Sequence, residues 1–169
     1  NAKPDGYTIL IHHIGMATSP ALYRTMPYKT LEDFEYLGLI NEVPMTLVGR
    51  STLPANNYAE LRKWIDENKG KINLANAGLG AASHLCGLLF QQTLGVDMTT
   101  IPYKGTAPAI NDLLGGQVQF SFEQVSVAQR FVKEGRLRAL AVVSGQRLPW
   151  LPDVPTMDEQ GVKGMDGQT

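Results

Sequence analysis

The feature that most limits what this chain can fold into is a regular alternation between residues 72 and 143. Short apolar runs at 72–75, 98–102, 118–122 and 137–143 have the length and residue types of strands. Longer segments with helical spacing lie between them, at 83–94, 106–114 and about 124–134. Gly95, Gly115 with Gly116, and Gly135 stand just past these segments, where a glycine commonly stops a helix. Strands alternating with helices in this way predict an α/β fold built on a mostly parallel, doubly wound sheet. A further helix is predicted through Tyr58, Leu61, Trp64 and Ile65, capped by Asn57.

The flanks are less regular. Residues 7–12 follow the turn Pro4-Asp5-Gly6 and read as a strand, as do 36–40 and 45–48. Ser19-Pro20 sets a cap before a proline and predicts a helix start. Leu151-Pro152-Asp153-Val154-Pro155-Thr156 is a proline-rich link, and Thr156 opens a short helix to Gln160. The chain opens on Asn1 without a Met, so its start reads as cut or processed. The expected division gives residues 1–50 to part of one unit and 51–143 to a second. Residues 144–169 then return into the first, which this chain only partly supplies.

Bulk properties remove several function classes. A content of 43% hydrophobic and 18% charged residues over 169 positions suffices for a sizeable core. A formal net charge of −1 argues against a nucleic-acid partner, because such domains carry a basic face. No stretch is long and apolar enough to be embedded in a bilayer. The single cysteine, Cys86, sits among Leu85, Leu88, Leu89 and Phe90 and reads as a buried inert thiol. No Cys/His/Asp cluster has metal-ligand spacing, and His12 and His13 are expected on opposite faces of a strand.

The most informative segment is Asn73-Leu74-Ala75-Asn76-Ala77-Gly78-Leu79-Gly80-Ala81-Ala82-Ser83-His84. It puts a side-chain-poor loop between a strand and a helix N-terminus, where exposed N–H groups and the helix dipole favour an anion. Tyr103-Lys104-Gly105-Thr106 and Ser121-Phe122-Glu123-Gln124 leave strands at the same edge. Three helix N-termini are therefore expected around one crevice, able to hold a carboxylate without an arginine. The plainer alternative is that Gly and Ser simply make tight turns there. Ser83 reads as a helix cap that also offers its hydroxyl, and His84 as either a ligand contact or a donor to a nearby carbonyl. Glu123 either meets a donor such as an amine or a water, or is a first-turn acid favoured by the dipole.

A nucleotide-dependent α/β enzyme using Gly78–Ser83 is the competing reading. The spacing has Ser83 where a dinucleotide fingerprint has a third glycine, and the next strand ends at Tyr103-Lys104 rather than at an acid. No Gly-Lys-Ser/Thr follows for a phosphate loop. Ser83, His84 and Cys86 are too close in sequence to face one another on a helix as a nucleophile and base. No catalytic residue and no cofactor are expected.

Taken together, these stretches resemble the extracytoplasmic solute receptors of tripartite tricarboxylate transporters, the Bug receptors. The resemblance is carried by Pro4-Asp5-Gly6-Tyr7-Thr8-Ile9-Leu10, Pro20-Ala21-Leu22-Tyr23, Met26-Pro27-Tyr28 with Asp33-Phe34, and Ser83-His84-Leu85. It continues through Tyr103-Lys104-Gly105-Thr106-Ala107-Pro108-Ala109 and Asp112-Leu113-Leu114-Gly115-Gly116-Gln117-Val118. Gly135-Arg136-Leu137-Arg138-Ala139-Leu140-Ala141-Val142 and the 151–156 link complete it. It implies a periplasmic-binding-protein-like fold of two doubly wound α/β domains, with a hinge at crossings near 46–50 and 141–144. One domain would be incomplete here, since the family's opening strand, first loop and final stretch are missing. The implied function is periplasmic capture of a mono-, di- or tricarboxylate, or an amino acid, for delivery to the membrane permease components. The implied contacts are Gly78, Gly80, Ala81, Ser83 and His84, then Gly105 and Thr106, with His13 and Gly15 facing them from the first domain. Glu123 stands where the family commonly has Asp, and His12-His13-Ile14-Gly15-Met16 is bulkier than the family's loop.

Overall fold

The computed structural model describes residues 2–165. Its elements run α1 (Gly15–Leu22), β1 (Met45–Arg50), α2 (Tyr58–Glu67), β2 (Asn73–Asn76) and α3 (Ala82–Leu94). They continue β3 (Thr99–Pro102), α4 (Thr106–Leu114), β4 (Phe120–Gln124), α5 (Val125–Lys133) and β5 (Leu137–Val143), and close with a 3-10 turn at Asp158–Gln160. The five strands form one sheet in the order β3-β2-β4-β1-β5. The predicted alternation from 72 to 143 is therefore present, with element ends shifted by a residue or two.

The sheet is mixed rather than parallel throughout. β2 pairs in parallel with β3 and β4, whereas β1 runs antiparallel to both β4 and β5. Apolar pattern reports burial and not strand direction, so the reversal of β1 is invisible in its residues. All but the last residue of β1 is buried, as a central strand covered on both faces requires. Its reversal has a positional effect. Met45 pairs with Gln124 and Val143, so the chain enters β1 at the rim where β2, β3 and β4 end.

Two apolar layers hold the sheet. Leu61 and Ile65 of α2 and Phe90 of α3 pack with Leu47, Leu74, Phe120 and Phe122 on one face. Ala109, Ile110 and Leu113 of α4 join Val48, Ala75, Ala128 and Phe131 on the other. Met157, Val162 and Met165 from the closing segment are buried in the first layer. Thr156 and Glu159 cap each other there: the Glu159 N–H donates to Thr156 Oγ1 (3.1 Å) and the Thr156 N–H to Glu159 Oε2 (2.8 Å).

Three expectations for the flanks fail. Residues 7–12 and 36–40 form no strand and pair with none among the described residues, and Tyr7 and Leu37 are 93% and 80% exposed. A strand needs a neighbour for its backbone groups, and none reaches these segments. Helix α1 starts at Gly15 rather than at Ser19, which leaves Pro20 inside it. Because 12–13 is not a strand, His12 and His13 do not point apart; their rings stack with centroids 4.6 Å apart.

Phe90 is fully buried and meets the Phe122 ring edge-on at 5.5 Å. Phe90→Ala is expected to lower unfolding free energy by about 3–5 kcal/mol in urea, with the helix content of the folded state unchanged.

Candidate functional site

The rim at the ends of β2, β3 and β4 opens on a cleft of about 600 Å³. Ala77, Ala81, Ala82 and Ser83 line it from the β2–α3 connection, Gly105 and Thr106 from the start of α4, and Glu123 and Gln124 from β4. His12, His13 and Ile14 close it from one side, and 39, 41–43 and Met45 from another. Of the expected contacts, the structure thus gathers His13, Ala81, Ser83, Gly105, Thr106 and Glu123 around one space. Gly15, Gly78, Gly80 and His84 are not among the residues that line it.

The β2–α3 loop is held by its own side chains. The Ala77 N–H donates to Ser83 Oγ (2.9 Å), the Gly78 N–H to Asn76 Oδ1 (2.9 Å), and the Gly80 N–H to His84 Nδ1 (3.2 Å). Ser83 is therefore not the cap, a position taken by Ala81; its oxygen ties the loop down from inside the first turn. His84 settles as an acceptor rather than a donor. With Nδ1 accepting, its proton lies on Nε2, and burial holds the ring below the ordinary imidazole value. Positive φ at Gly78 (124°) and Gly80 (77°) allows the loop to turn this tightly. A Cβ on Gly80 would fall 2.7 Å from Leu22 Cδ1 and 3.0 Å from Thr18 Oγ1, so α1 lies directly against the loop. Thr18 Oγ1 donates to the Gly80 carbonyl there (3.2 Å).

With those amides spent, the open donors lie one turn further on. Helix geometry leaves the first N–H groups of α3 and α4 without intrahelical acceptors. Among the described residues, the N–H groups of Ala82, Ser83 and Thr106 meet no acceptor elsewhere. All three residues line the cleft. The start of α4 is fixed by Tyr103, whose hydroxyl donates to Asp112 Oδ2 (2.7 Å), and by the Gly105 N–H on the Ala77 carbonyl (3.1 Å). At the third expected N-terminus the first amide is occupied, and no residue of α5 lines the cleft. α5 follows β4 without a loop, and its Val125 N–H donates to the Pro44 carbonyl (3.0 Å).

In place of a third amide cluster stands Glu123, 1% exposed. The Ser121 hydroxyl lies 2.6 Å from its Oε1 and 3.1 Å from the Ala75 carbonyl. Burial pushes the Glu123 carboxyl up to about 7, against a smaller opposite effect of the Ser121 hydrogen bond. Thr46 is its cross-strand partner, fully buried, with a hydroxyl that has no hydrogen-bond partner among the described residues. Ser121 and Thr46 were missed at the sequence level. The alternation of β4 puts Ser121 on the face of Glu123 and was a usable signal; Thr46 depends on strand register, which no local pattern reveals. Cys86 is buried, and desolvation pushes its thiol up to about 11, leaving it unreactive as expected. The dinucleotide reading loses ground here. The Gly78 and Gly80 amides it needs are occupied, and a Cβ on Gly78 would meet the Tyr103 carbonyl at 3.2 Å.

The fold is that of an α/β periplasmic binding protein, seen over part of such a protein's length. The model of the tripartite tricarboxylate transporter family receptor matches residues 1–169, and the chain belongs to that family. A protein of the TAR-I ttuE-ttuC' intergenic region of Agrobacterium vitis is 44% identical over 165 residues, covering 98% of this chain and 48% of the relative. The structure of the periplasmic binding protein BugD superimposes with a TM-score of 0.93 at 50% identity, over 99% of this chain and 56% of that one. MatC from Rhodopseudomonas palustris with bound malate superimposes at 0.82 and 32% identity, over 89% of this chain and 51% of its own. The chain spans about half the length of the curated relatives it matches.

Glu123 links the site to stability. Its carboxyl titrates near 4.5 when unfolded and near 7 when folded, so between these values the folded chain keeps a proton that the unfolded chain releases. Its contribution is therefore greatest below about 4.5 and is lost as pH rises to about 7. In denaturant titrations, Glu123→Gln is expected to gain stability relative to the parent chain across this window, by up to roughly 3 kcal/mol.

Proposed function

We propose that this chain supplies one wall and the floor of the ligand cleft of a periplasmic solute receptor. A small carboxylate is held there by the N-termini of α3 and α4 and handed on to the membrane permease components of a tripartite transporter. The observation that carries this reading is that the amides of Ala82, Ser83 and Thr106 meet no acceptor among the described residues and belong to residues lining a cleft in which no described Lys or Arg takes part. Oriented N–H groups at a helix start can bind an anion without a cationic side chain. The Thr106 hydroxyl adds a donor, and Gly105 lets the ligand approach the backbone. His13 and Gly15 belong to the facing side. Gly78, Gly80 and His84 act through the loop, keeping Ala81, Ala82 and Ser83 in place. The receptor carries out no chemistry and needs no cofactor.

Residues 1–50 and 144–169 belong, in this reading, to a first domain that other sequence completes, and 51–143 to the second. β1 and the end of β5 are neighbours in the sheet, so a hinge at these two crossings turns one domain over the other. Closure removes water from the ligand and strengthens each amide contact. Membership of the receptor family, and the malate bound by MatC, support the solute class.

Calorimetric titration of the full-length protein with a panel of mono-, di- and tricarboxylates is expected to find a one-to-one ligand. Thr106→Val should weaken it about tenfold while leaving the melting temperature nearly unchanged. Absence of binding by every member of the panel, with turnover of one of them instead, would defeat the proposal.

A further inference from the structure

The cleft holds acids where a carboxylate receptor would be expected to hold bases. Glu123 is 1% exposed and lines the cavity, and Glu42 lines it from the segment before β1. The remaining titratable groups around it are few. His12 and His13 face it from the segment before α1, where partial desolvation and then His12 hold His13 below the ordinary imidazole value. α3 brings Ser83, with His84 turned away onto the Gly80 amide. β1 brings Thr46, α4 brings Thr106, and α5 begins with Val125, none of them titratable. Lys104 precedes α4 but is exposed and does not line the cleft.

Two ionised carboxylates cannot share a dry site without a cation between them. The hydrogen-bond geometry at Glu123 provides a way out. Ser121 Oγ lies within reach of both Glu123 Oε1 and the Ala75 carbonyl, and its single hydrogen can serve only one of them. With that hydrogen on Oε1, Glu123 keeps its other carboxyl oxygen free to carry a proton and donate it into the cleft. The orphaned Thr46 hydroxyl sits directly across the strand pair, on the same buried polar patch.

We propose that Glu123 is the specificity-determining residue of the cleft, binding the captured carboxylate as a neutral acid that donates to it, so that capture takes up a proton and favours anions without an ammonium group. This rests on the carboxylate-receptor reading above. The proton comes from water, and Glu123 releases it when the ligand leaves. Burial has already moved the group to about 7, so the ligand's charge need add little to complete the protonation. A ligand ammonium would require the opposite state, an ionised Glu123.

The test uses the full-length protein and three probes: malate, adipate, and aspartate, which is malate with its hydroxyl replaced by an ammonium. Affinities are measured by calorimetry from about pH 6 to about pH 8.5, in pairs of buffers that differ in ionisation enthalpy. For malate or adipate, affinity is expected to fall about tenfold per pH unit above about 7, with uptake of about one proton per ligand. Glu123→Gln should abolish the proton uptake and bind more than tenfold tighter than the parent protein at the alkaline end. Should that variant misfold, a protein carrying both His12→Gln and His13→Gln decides: proton uptake that persists without the two imidazoles supports Glu123, and its loss overturns the proposal. Binding with a flat pH profile overturns the proposal but leaves the receptor reading intact. The same fall in Glu123→Gln assigns the effect to His12 or His13 and also overturns it, as does aspartate binding that strengthens with pH while malate fails to bind. No binding by any probe at any pH removes both.

Discussion

Everything proposed for this chain depends on backbone amides left without partners at the starts of two helices. A helix cannot satisfy its own first N–H groups, and a protein usually meets them with a capping side chain. Asn57 does this for α2, where its side chain accepts from the Glu60 N–H. Among the described residues no side chain caps α3 or α4. The polar side chains close to α3 are directed elsewhere: Ser83, Asn76 and His84 each take an amide of the preceding loop. The loop is thereby fixed and the helix start left open. An anion arriving there meets donors that are already oriented, and little ordering remains to be done on binding.

Strand direction decides what faces those donors. Because β1 enters the sheet antiparallel to its neighbours, the segment before it arrives at the rim where the parallel strands end. Residues 39, 41–43 and Met45 thus become a cleft wall instead of lying at the far edge of the sheet. The same segment closes the start of α5, through the Pro44 carbonyl on the Val125 amide. One reversed strand accounts both for the second side of the cleft and for the occupied first amide of the third helix. The acid in that third position then sets the electrostatic character of the floor.

Local rules made much of this legible. The alternation of strands and helices, the Asn57 cap and the glycine stops are short-range features, and each appears where its residues predict it. The side-chain-poor loop at 77–81 and the turn at 103–106 were marked as parts of the site by their position between strand and helix. The unreadable parts are those set by distant residues. The direction of β1, the pairing of Thr46 with Glu123 and the absence of partners for 7–12 and 36–40 depend on which strands meet. Ser83 and His84 show the same limit at shorter range. Their residue types suit ligand contact, but which partner they take depends on a loop conformation made possible by two glycines.

The most direct probe of the amide site is a proton–nitrogen correlation spectrum of the full-length protein, recorded as malate is added. If uncapped helix starts hold the anion, the Ala82, Ser83 and Thr106 amide protons shift downfield together and saturate along one binding curve. Those of Ala77 and Gly78, already bonded within the loop, should move far less. A saturating response confined to the His12–His13 segment, with the three amides unmoved, would contradict the account.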